Sequence, residues 1–441
     1  MSTDTRRPDE PAVPGRPAED SPGRGTLDRR PSECVIVGGG LHGIHVAAKL
    51  LEETEIDHGQ LRIVDLNHRL ATNFRAKATQ CGMESMRSSS LDHVGVHPLE
   101  LELFAARRNR TDELFETDDY PPRPSLSLFL DHVDHVVDRY DLDDLHVRAR
   151  VTALRESDDR VVVETDEGTL DAHRCVLAIG HGNRYTRPSW TTALDGSAVD
   201  HVWDRSFDLD HWGRVVVVGG GVTAAQTALS LSERGADVTL LARSGLTERT
   251  IEADQRWQRW NHIEQTLHGH PPGHRARLRR ISRARYDGTV PSYLLRDIEA
   301  AVAENELSVV DGDVLRARDD HESGVRLAVT DGRCLRADHI ALATGFESPF
   351  DHPFVERVAA AEELVRGEAG MPVLDDRTLA WTRPDGVSSS IHVVGALAMG
   401  SVGPFAGNVI GARLAAAQLV DALSLRESGS SAVAVEQPAG F

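Results

Sequence analysis

The feature that most constrains the fold is a glycine pattern directly after a short apolar strand. Gly38, Gly40 and Gly43 have G-x-G-x-x-G spacing between the apolar run Cys34–Val37 and an apolar helix at Ile44–Leu51. In a dinucleotide-binding fold the first glycine makes a tight turn, the second lets the backbone approach a pyrophosphate, and the third lets the helix pack closely on the strand. The pattern therefore predicts phosphate binding at a helix N-terminus. The alternative is a glycine-rich turn that packs without a ligand.

An acidic residue completes this first unit. The next apolar run ends in Asp65, about twenty residues past the last glycine, where a carboxylate binds ribose hydroxyls in this fold. Leu41 and His42 lie between the glycines and belong to the same predicted site.

A second glycine pattern, Gly219-x-Gly221-x-x-Ala224, follows another apolar strand in the middle of the chain. The strand after it ends in Arg243 and Ser244 instead of an acid. A guanidinium and a hydroxyl would bind a 2′-phosphate, which a carboxylate would repel. The sequence therefore predicts NADPH rather than NADH at the second site, and an adenine dinucleotide without that phosphate at the first. The alternative for Arg243 is a surface cation.

Small residues at other predicted strand ends add to the two sites, because they let the chain pass close to a bound cofactor. A helix that starts after Gly-Pro could also present its positive end to a flavin. Val222 and Thr223, in the first helical turn of the second unit, are predicted cofactor contacts. The further predicted contacts are Gly180, Thr344, Gly345, Gly395 and Pro404.

The composition excludes several classes of partner. Lys and Arg total 49 against 69 Asp and Glu, and the formal charge of −20 would repel nucleic acid and anionic membranes. Nearly all the cations are arginine, which fits a halophilic source or a GC-rich genome. Four scattered cysteines without C-x-x-C or zinc spacing predict a reducing cytoplasm. No segment predicts a membrane span or a secretion signal.

Histidine clusters raise the question of a metal, and the sequence favours none. His132 and His135 stand three residues apart on a predicted helix with a charged face. His268, His270 and His274 flank Pro and Gly, which indicates a loop. No third ligand pattern accompanies the first pair, so we predict a solvated helix face there.

The chain divides into five predicted segments. Residues 1–31 are rich in Pro, Gly and Arg and predict a disordered tail, and residues 425–441 a flexible one. Between them we predict a dinucleotide-binding domain in two parts, residues 32–207 and 345–424, around an NAD(P)H-binding domain at residues 208–344. The stretch Asn67–Ser90 reads as an irregular polar connection, and Glu248–Arg285 as a helical insertion on the second domain.

The two unlike dinucleotide motifs resemble those of two-dinucleotide-binding-domain flavoproteins. Among these the chain resembles the class B flavin monooxygenases, and especially the lysine/ornithine N-hydroxylase-like branch. Asp338–Phe346 matches that branch's D-x-x-x-(L/F)-A-T-G-Y pattern, with Phe in place of Tyr, and Met86–Leu91 is loosely similar to its M-x-x-S-x-L stretch by the flavin. The resemblance implies an α/β fold of two Rossmann-like three-layer domains, with the NADPH domain inserted in the FAD domain. It implies FAD and NADPH as cofactors, and therefore that residues 32–207 and 345–424 form an FAD-binding domain.

Departures from the family pattern bear on the substrate. After Leu91 the chain has Asp92, where the amino-acid hydroxylases carry a lysine for the substrate carboxylate. A carboxylate would repel that group, which argues against lysine or ornithine. The disulfide reductases that share this fold are disfavoured because C-x-x-C and C-x-x-x-x-C are absent and Gly395-Ala396 lacks their ribityl-binding aspartate.

The resemblance implies a cytoplasmic, FAD-dependent and NADPH-using monooxygenase, which hydroxylates a nitrogen or sulfur of a small molecule with O2 through a C4a-hydroperoxyflavin. No catalytic side chain is identified, because the flavin supplies the chemistry. Arg87, Ser88 and Asn408 are the candidate pocket residues. Two alternatives remain: a flavin reductase or oxidase that passes electrons to another acceptor, and a non-catalytic redox-sensing flavoprotein.

Overall fold

The structure is a computed structural model, and it describes residues 31–157, 160–210, 213–320 and 324–429. Residues 1–30 and 430–441 lie outside it, and with them most of the two predicted tails. The last helix continues to Gly429, so the chain is still helical at the start of the segment predicted as a flexible tail.

The first part of the chain builds a parallel sheet with helices between its strands. In this sheet β1 pairs in parallel with β2 on one side and with β8 on the other. The helices are α1 (Leu41–Glu53), α2 (Thr72–Gln80), α3 (Glu100–Arg107) and α4 (Leu126–Arg139). The strands are β1 (Ser32–Val37), β2 (Leu61–Asp65), β3 (Leu114–Thr117), β4 (Tyr120–Pro124), β5 (His146–Arg148), β6 (Val151–Ser157), β7 (Arg160–Thr165) and β8 (Gly168–Leu177).

The middle of the chain forms a second sheet of five parallel strands, in the order β14-β11-β10-β18-β9. It includes β9, which precedes the predicted domain start at residue 208. The helices are α5 (Val222–Glu233), α6 (Trp260–Ile263), α7 (Arg275–Ala284) and α8 (Ser292–Ala303). The strands are β9 (Val199–His201), β10 (Arg214–Val218), β11 (Asp237–Ala242), β12 (Thr247–Glu248), β13 (Thr289–Val290), β14 (Leu307–Asp311), β15 (Val314–Asp320), β16 (Gly324–Val329), β17 (Cys334–Ala337) and β18 (His339–Leu342).

The last part of the chain returns to the first sheet. Strand β20 pairs in parallel with β8, so the first sheet has the order β19-β20-β8-β1-β2-β5, with β6 and β7 beside β8. The second domain is therefore inserted in the first, which confirms the predicted fold class. The elements of this part are α9 (Pro353–Ala361), β19 (Ala380–Thr382), β20 (Ser388–Val393), α10 (Met399–Val402) and α11 (Val409–Gly429).

Close packing at the first glycine turn explains why β1 and α1 form one unit. A Cβ added at Gly43 would lie 1.9 Å from the carbonyl oxygen of Gly38. Gly38 itself has φ +114°, and a Cβ there would lie 2.5 Å from the Ala178 carbonyl oxygen at the end of β8. Any side chain at either position would push the helix or β8 away from β1.

Two segments carry the chain between the domains, and they are paired with each other. The first crossing runs from the end of β8 to β9, and the second follows β18. The Thr186 N–H donates to the Gly345 carbonyl at 2.9 Å, and the Thr344 hydroxyl donates to the Thr186 carbonyl. Tyr185 forms an antiparallel bridge with Phe346. The crossings therefore behave as one two-stranded connection.

The insertion between β12 and β13 packs on the first domain, a contact that its prediction as a helical insertion on the second domain did not include. Arg277 on α7 is fully buried, and its guanidinium nitrogens lie 2.7 Å from both carboxylate oxygens of Asp376. Trp257 and Ile263 pack with Phe405 of the first domain. The prediction missed this because the amphipathic pattern identifies a buried helix face but not the surface that covers it.

Three buried histidines lie between α1, α4 and the loop before α3. His45, His93 and His132 are each 1% exposed or less. Burial lowers their pKa values from 6.5 to about 3, about 2 and about 3 respectively. His132, predicted on a solvated face, is inside the core because α4 turns its apolar side, which includes this residue, inward.

Acid should destabilise the fold through these histidines. The folded chain keeps them neutral while the unfolded chain protonates them below pH 6.5, so their contribution to stability is complete above pH 6.5 and is lost as the pH falls toward about 3. We predict that His132→Leu flattens the pH dependence of the urea-unfolding free energy between pH 6.5 and 4.5 by up to about 1.4 kcal/mol per pH unit. The exposed His68→Leu is the matched control. Equal slopes for both variants would contradict the assignment.

The glycine packing gives a second prediction. Gly43→Ala should lower the free energy of unfolding by at least about 2 kcal/mol, because the methyl group meets backbone that cannot move without separating α1 from β1. Gly196→Ala is the control, since a Cβ there meets nothing within 4 Å. Chemical denaturation of both variants measures the difference, and similar stabilities would refute the close-packing role.

Candidate cofactor-binding and active site

The first glycine turn leaves a space at the start of α1. Gly40 precedes the helix, carries no side-chain cap, and has nothing within 4 Å of the position that a Cβ would occupy. The N–H groups of the first helical turn, which includes Leu41, therefore face this space without a side-chain acceptor. Such an N-terminus suits a pyrophosphate. The structure thus brings the predicted phosphate-binding residues together in the expected form.

Asp65 lies beside this turn at the end of β2. Its Oδ2 accepts a hydrogen bond from the Gly39 N–H at 2.8 Å, and its Oδ1 accepts two from the backbone and side chain of Asn67, also at 2.8 Å. Oδ2 has a second lone pair, so a ribose hydroxyl can still donate to it. The carboxylate therefore fixes the shape of the glycine turn and is available to a nucleotide.

Predicted residues from distant parts of the chain converge on His42. This side chain is buried, which lowers its pKa to about 4, and it lies against the backbone of Gly407 and Asn408 at the start of α11. A Cβ at Gly395, which has φ +74°, would lie 3.6 Å from its Nδ1. The return part of the first domain thus closes the first glycine turn on its open side. Gly180 lies in the turns that follow β8, and a Cβ there would have no other atom within 4 Å.

The second glycine turn has the same architecture with one difference. Gly219 has φ +157°, and a Cβ there would lie 2.5 Å from the Ala343 carbonyl oxygen and 3.0 Å from the Ala224 methyl. Gly221 begins α5 without a side-chain cap. A Cβ at Gly221 would lie 3.8 Å from the Cα of Gly288, at the end of the insertion. The insertion therefore lines one wall of the second nucleotide site.

Arg243 and Ser244 lie exposed at the end of β11, next to this turn. Neither makes a side-chain hydrogen bond or an ion pair with any residue in the described ranges. Val222 and Thr223 stand in the first turn of α5. A free guanidinium and a free hydroxyl at this position can bind a phosphate.

The candidate pocket residues have different surroundings. Arg87 is committed to the insertion: its guanidinium donates to the carbonyls of Thr250, Arg249 and Thr289, and it lies 3.7 Å from Glu252. It therefore holds the insertion against the first domain. Ser88 is half-buried, and the Pro404 carbonyl accepts a hydrogen bond from Arg285 at 3.1 Å. That bond ties the insertion to the loop before α11.

Asp92, which stands where the N-hydroxylase pattern has lysine, is 5% exposed. Burial raises its pKa. The Ser89 hydroxyl donates to it at 3.0 Å and the Tyr120 hydroxyl at 3.4 Å, and Gln258 of the insertion donates to Tyr120 at 2.8 Å. A chain of polar groups thus runs from this carboxylate to the insertion.

An aromatic cluster that the sequence did not identify stands where the two crossings meet. We call it the aromatic junction, and it consists of His181, Tyr185, His201, Trp203 and Phe346. The Phe346 ring stacks on His181 at 4.4 Å and on Trp203 at 4.6 Å, and Tyr185 stacks on His201 at 4.6 Å. The Nζ of Lys77 lies 4.9 to 5.7 Å from the rings of Phe346, Tyr185 and Trp203. The junction touches both domains at the carboxyl ends of their sheets, where ligands bind in this class of fold.

The described residues contain neither a metal-binding cluster nor a membrane-spanning helix. Within those ranges, no group of three or more His, Cys, Asp or Glu residues is arranged to hold a metal ion. Of the helices in the described part of the chain, none is both long enough and apolar enough to cross a membrane.

Comparisons with known proteins agree with this geometry. A family model described as FAD-NAD(P)-binding matches residues 35–182, and one described as pyridine nucleotide-disulphide oxidoreductase matches residues 116–266. Among curated protein sequences, none matches the chain.

Solved structures resemble the chain over nearly its whole length. An ornithine N-hydroxylase from Kutzneria sp. 744, described with reduced FAD, NADP+ and L-ornithine, has a TM-score of 0.70 at 17% identity, and the match covers 90% of this chain and 100% of that one. L-lysine 6-monooxygenase from Pseudomonas syringae has a TM-score of 0.69 at 17% identity, with 89% and 99% covered. A bacillithiol disulfide reductase from Staphylococcus aureus has a TM-score of 0.59 at 14% identity, with 90% and 99% covered.

These findings confirm the predicted resemblance to the N-hydroxylase-like flavoproteins at the level of the fold. The chain has the architecture of the two-dinucleotide-binding-domain flavoproteins, and its fold is similar to that of the N-hydroxylases. The family models confirm the prediction of FAD and a nicotinamide dinucleotide as cofactors, and with it an FAD-dependent NAD(P)H oxidoreductase.

Proposed function

We propose that the protein is an FAD-dependent monooxygenase that uses NADPH and hydroxylates a nitrogen or sulfur atom of a small molecule. The observation that carries the proposal is the pair of open helix N-termini, one after Gly40 and one after Gly221, whose strands end in unlike residues. Asp65 accepts hydrogen bonds from its own glycine turn, whereas Arg243 is exposed and unpaired among the described residues. Two different dinucleotides are therefore recognised in one chain.

FAD, when bound and reduced by NADPH, supplies the activation of O2. The chain's own residues bind and orient the two cofactors. The α1 N-terminus and Asp65 hold one dinucleotide, and the α5 N-terminus with Arg243 and Ser244 holds the other. The insertion is fixed by Arg87 and by the buried Arg277–Asp376 pair, and its role in this proposal is to shield the bound cofactors from water.

The substrate class follows from Asp92 within this proposal. A buried carboxylate with hydroxyl donors repels a substrate carboxylate and attracts an amine. We therefore expect a substrate whose end near this position is neutral or cationic, and not an amino acid held by its carboxylate. The substrates printed for the similar structures remain properties of those proteins.

A second candidate is a reductase that passes electrons to an acceptor without inserting oxygen. The match of residues 116–266 to the pyridine nucleotide-disulphide oxidoreductase model favours it. The thiols argue against a disulfide-reducing version, because Cys34, Cys81 and Cys175 are free and buried, and burial raises the pKa of each.

Rapid mixing with oxygen separates the two candidates. The FAD-loaded protein is reduced anaerobically with NADPH and then mixed with O2 in a stopped-flow spectrophotometer. We expect a flavin transient, distinct from the oxidised and reduced spectra, that persists on the order of seconds, because an enclosed site protects it from water. Added small amines or thioethers should then yield hydroxylated product. Direct return to oxidised flavin with release of H2O2 would support the reductase or oxidase.

Cofactor preference tests the second nucleotide site. Arg243→Ala should weaken NADPH binding roughly 10- to 100-fold, the loss typical of a charge-assisted hydrogen bond to phosphate, while NADH binding changes less than about threefold. Dissociation constants from fluorescence titration of each nucleotide provide the measurement. Arg336→Ala, an exposed arginine on β17, is the matched control. Equal losses for NADPH and NADH would show that Arg243 does not bind the 2′-phosphate.

A further inference from the structure

Lys77 is chemically unusual in this chain. Only two residues of the sequence are lysine, Lys49 and Lys77, although Lys and Arg together number 49. Lys49 makes an ordinary helical ion pair, with its Nζ 2.6 Å from Glu53. Lys77 forms no ion pair or hydrogen bond through its ammonium with any residue of the described ranges. Its Nζ instead faces three aromatic rings of the aromatic junction.

Two of the three rings come from the crossings between the domains, and the third comes from the second domain. Tyr185 lies on the first crossing, Trp203 lies between β9 and β10, and Phe346 follows β18 on the second crossing. Their centroids lie 5.4, 5.7 and 4.9 Å from the Lys77 Nζ. A cation at such distances is attracted to the faces of aromatic rings, and more strongly when it is shielded from water. One charge therefore binds both crossings and one segment of the second domain to α2.

Helix α2 contacts the second domain at further points along the same edge. The Gln80 side chain donates to the Asp204 carbonyl at 2.9 Å, next to Trp203 in the sequence. Cys81 lies 3.8 Å from the side-chain oxygen of Gln226 on α5. A Cβ at Gly82 would lie 2.4 Å from the side chain of Ser230, also on α5. The edge of α2 is thus the surface of the first domain on which the second domain rests.

We propose that Lys77 is a positioning residue: its ammonium, seated on the aromatic junction, holds the NADPH-binding domain at the angle that brings the nicotinamide to the flavin. The inference rests on the proposed function, because it requires the aromatic junction to align the two cofactor sites for hydride transfer. The reaction class is unchanged, with two electrons and one proton leaving NADPH as hydride and entering FAD. Lys77 acts through the domain angle and needs no contact with the reacting atoms.

A moderate rise in pH removes the charge of Lys77 without a mutation. Burial lowers its pKa to about 8. The neighbouring imidazoles of His181 and His201 have pKa values lowered to about 4, and the pKa of the Tyr185 hydroxyl is raised by burial. Burial also raises the pKa of the Cys81 thiol to about 12, and Asp204 forms an ion pair with Arg187. Between pH 6.5 and 9.5, Lys77 is the group at this joint whose charge changes.

The test is the anaerobic reduction of bound FAD by saturating NADPH, followed at the flavin absorbance from pH 6.5 to 9.5. We compare the wild type with Lys77→Met, Lys77→Arg and the control Lys49→Met. In the wild type and the control, the limiting rate constant should fall about tenfold with a midpoint near pH 8. Lys77→Met should be slow at every pH, while Lys77→Arg should keep the rate and lose the pH dependence, since a guanidinium stays charged. The NADPH dissociation constant should change less than about twofold in all variants.

A wild-type pH profile in Lys77→Met would overturn the proposal, and so would a loss confined to NADPH affinity. A readout without turnover separates this from failure of the proposed function. Trypsin can cleave the first crossing after Arg184, which is followed by Tyr185, and mass spectrometry identifies the products. We expect cleavage there to be several-fold faster in Lys77→Met than in Lys49→Met at pH 7, with Lys77→Arg protected. Unchanged cleavage would refute the role of Lys77 at the aromatic junction, whatever the rate of flavin reduction. Faster cleavage in a protein whose FAD is not reduced by NADPH would support that role and refute the proposed function.

Discussion

Both domains depend on the close approach of a helix to the strand before it, which only a very small side chain allows. In the first domain the backbone of Gly38 occupies the space where a side chain of Gly43 would be. In the second domain the corresponding residue is Ala224, whose methyl group is fully buried beside Gly219. This packing aims each helix N-terminus at the carboxyl edge of its sheet. These two turns set where the other predicted nucleotide contacts lie, including Asp65 in the first domain and Arg243 in the second.

Local patterns were enough to predict these units. A glycine motif, a buried strand and a terminal charged residue lie within about thirty residues of one another, so their geometry follows from short-range sterics. The return of the chain to the first sheet through β20 was also predictable, because small residues at Thr344 and Gly345 mark the end of the inserted domain. The structure adds that His42, Gly395 and Asn408 meet at one place, which confirms neither a ligand nor a role but brings together residues that the sequence treated separately.

The contacts between domains were not predictable from the same patterns. The sequence indicated an irregular polar connection where α2 stands, because this segment carries little apolar periodicity. Its burial arises only when three rings from distant segments surround it. Arg87 and the insertion present the same difficulty: Arg87 was a pocket candidate, and its partners are backbone carbonyls more than 160 residues away. The one available signal was compositional, since Lys77 is one of only two lysines in an arginine-rich chain.

The account as a whole requires that two different nucleotides meet within one chain. The most direct measurement is an anaerobic titration of the purified protein, first with FAD and then with NADPH. We expect one FAD to bind per chain and one equivalent of NADPH to bleach its long-wavelength band completely. A chain that takes up no FAD, or that holds FAD which NADPH leaves oxidised, would contradict the account.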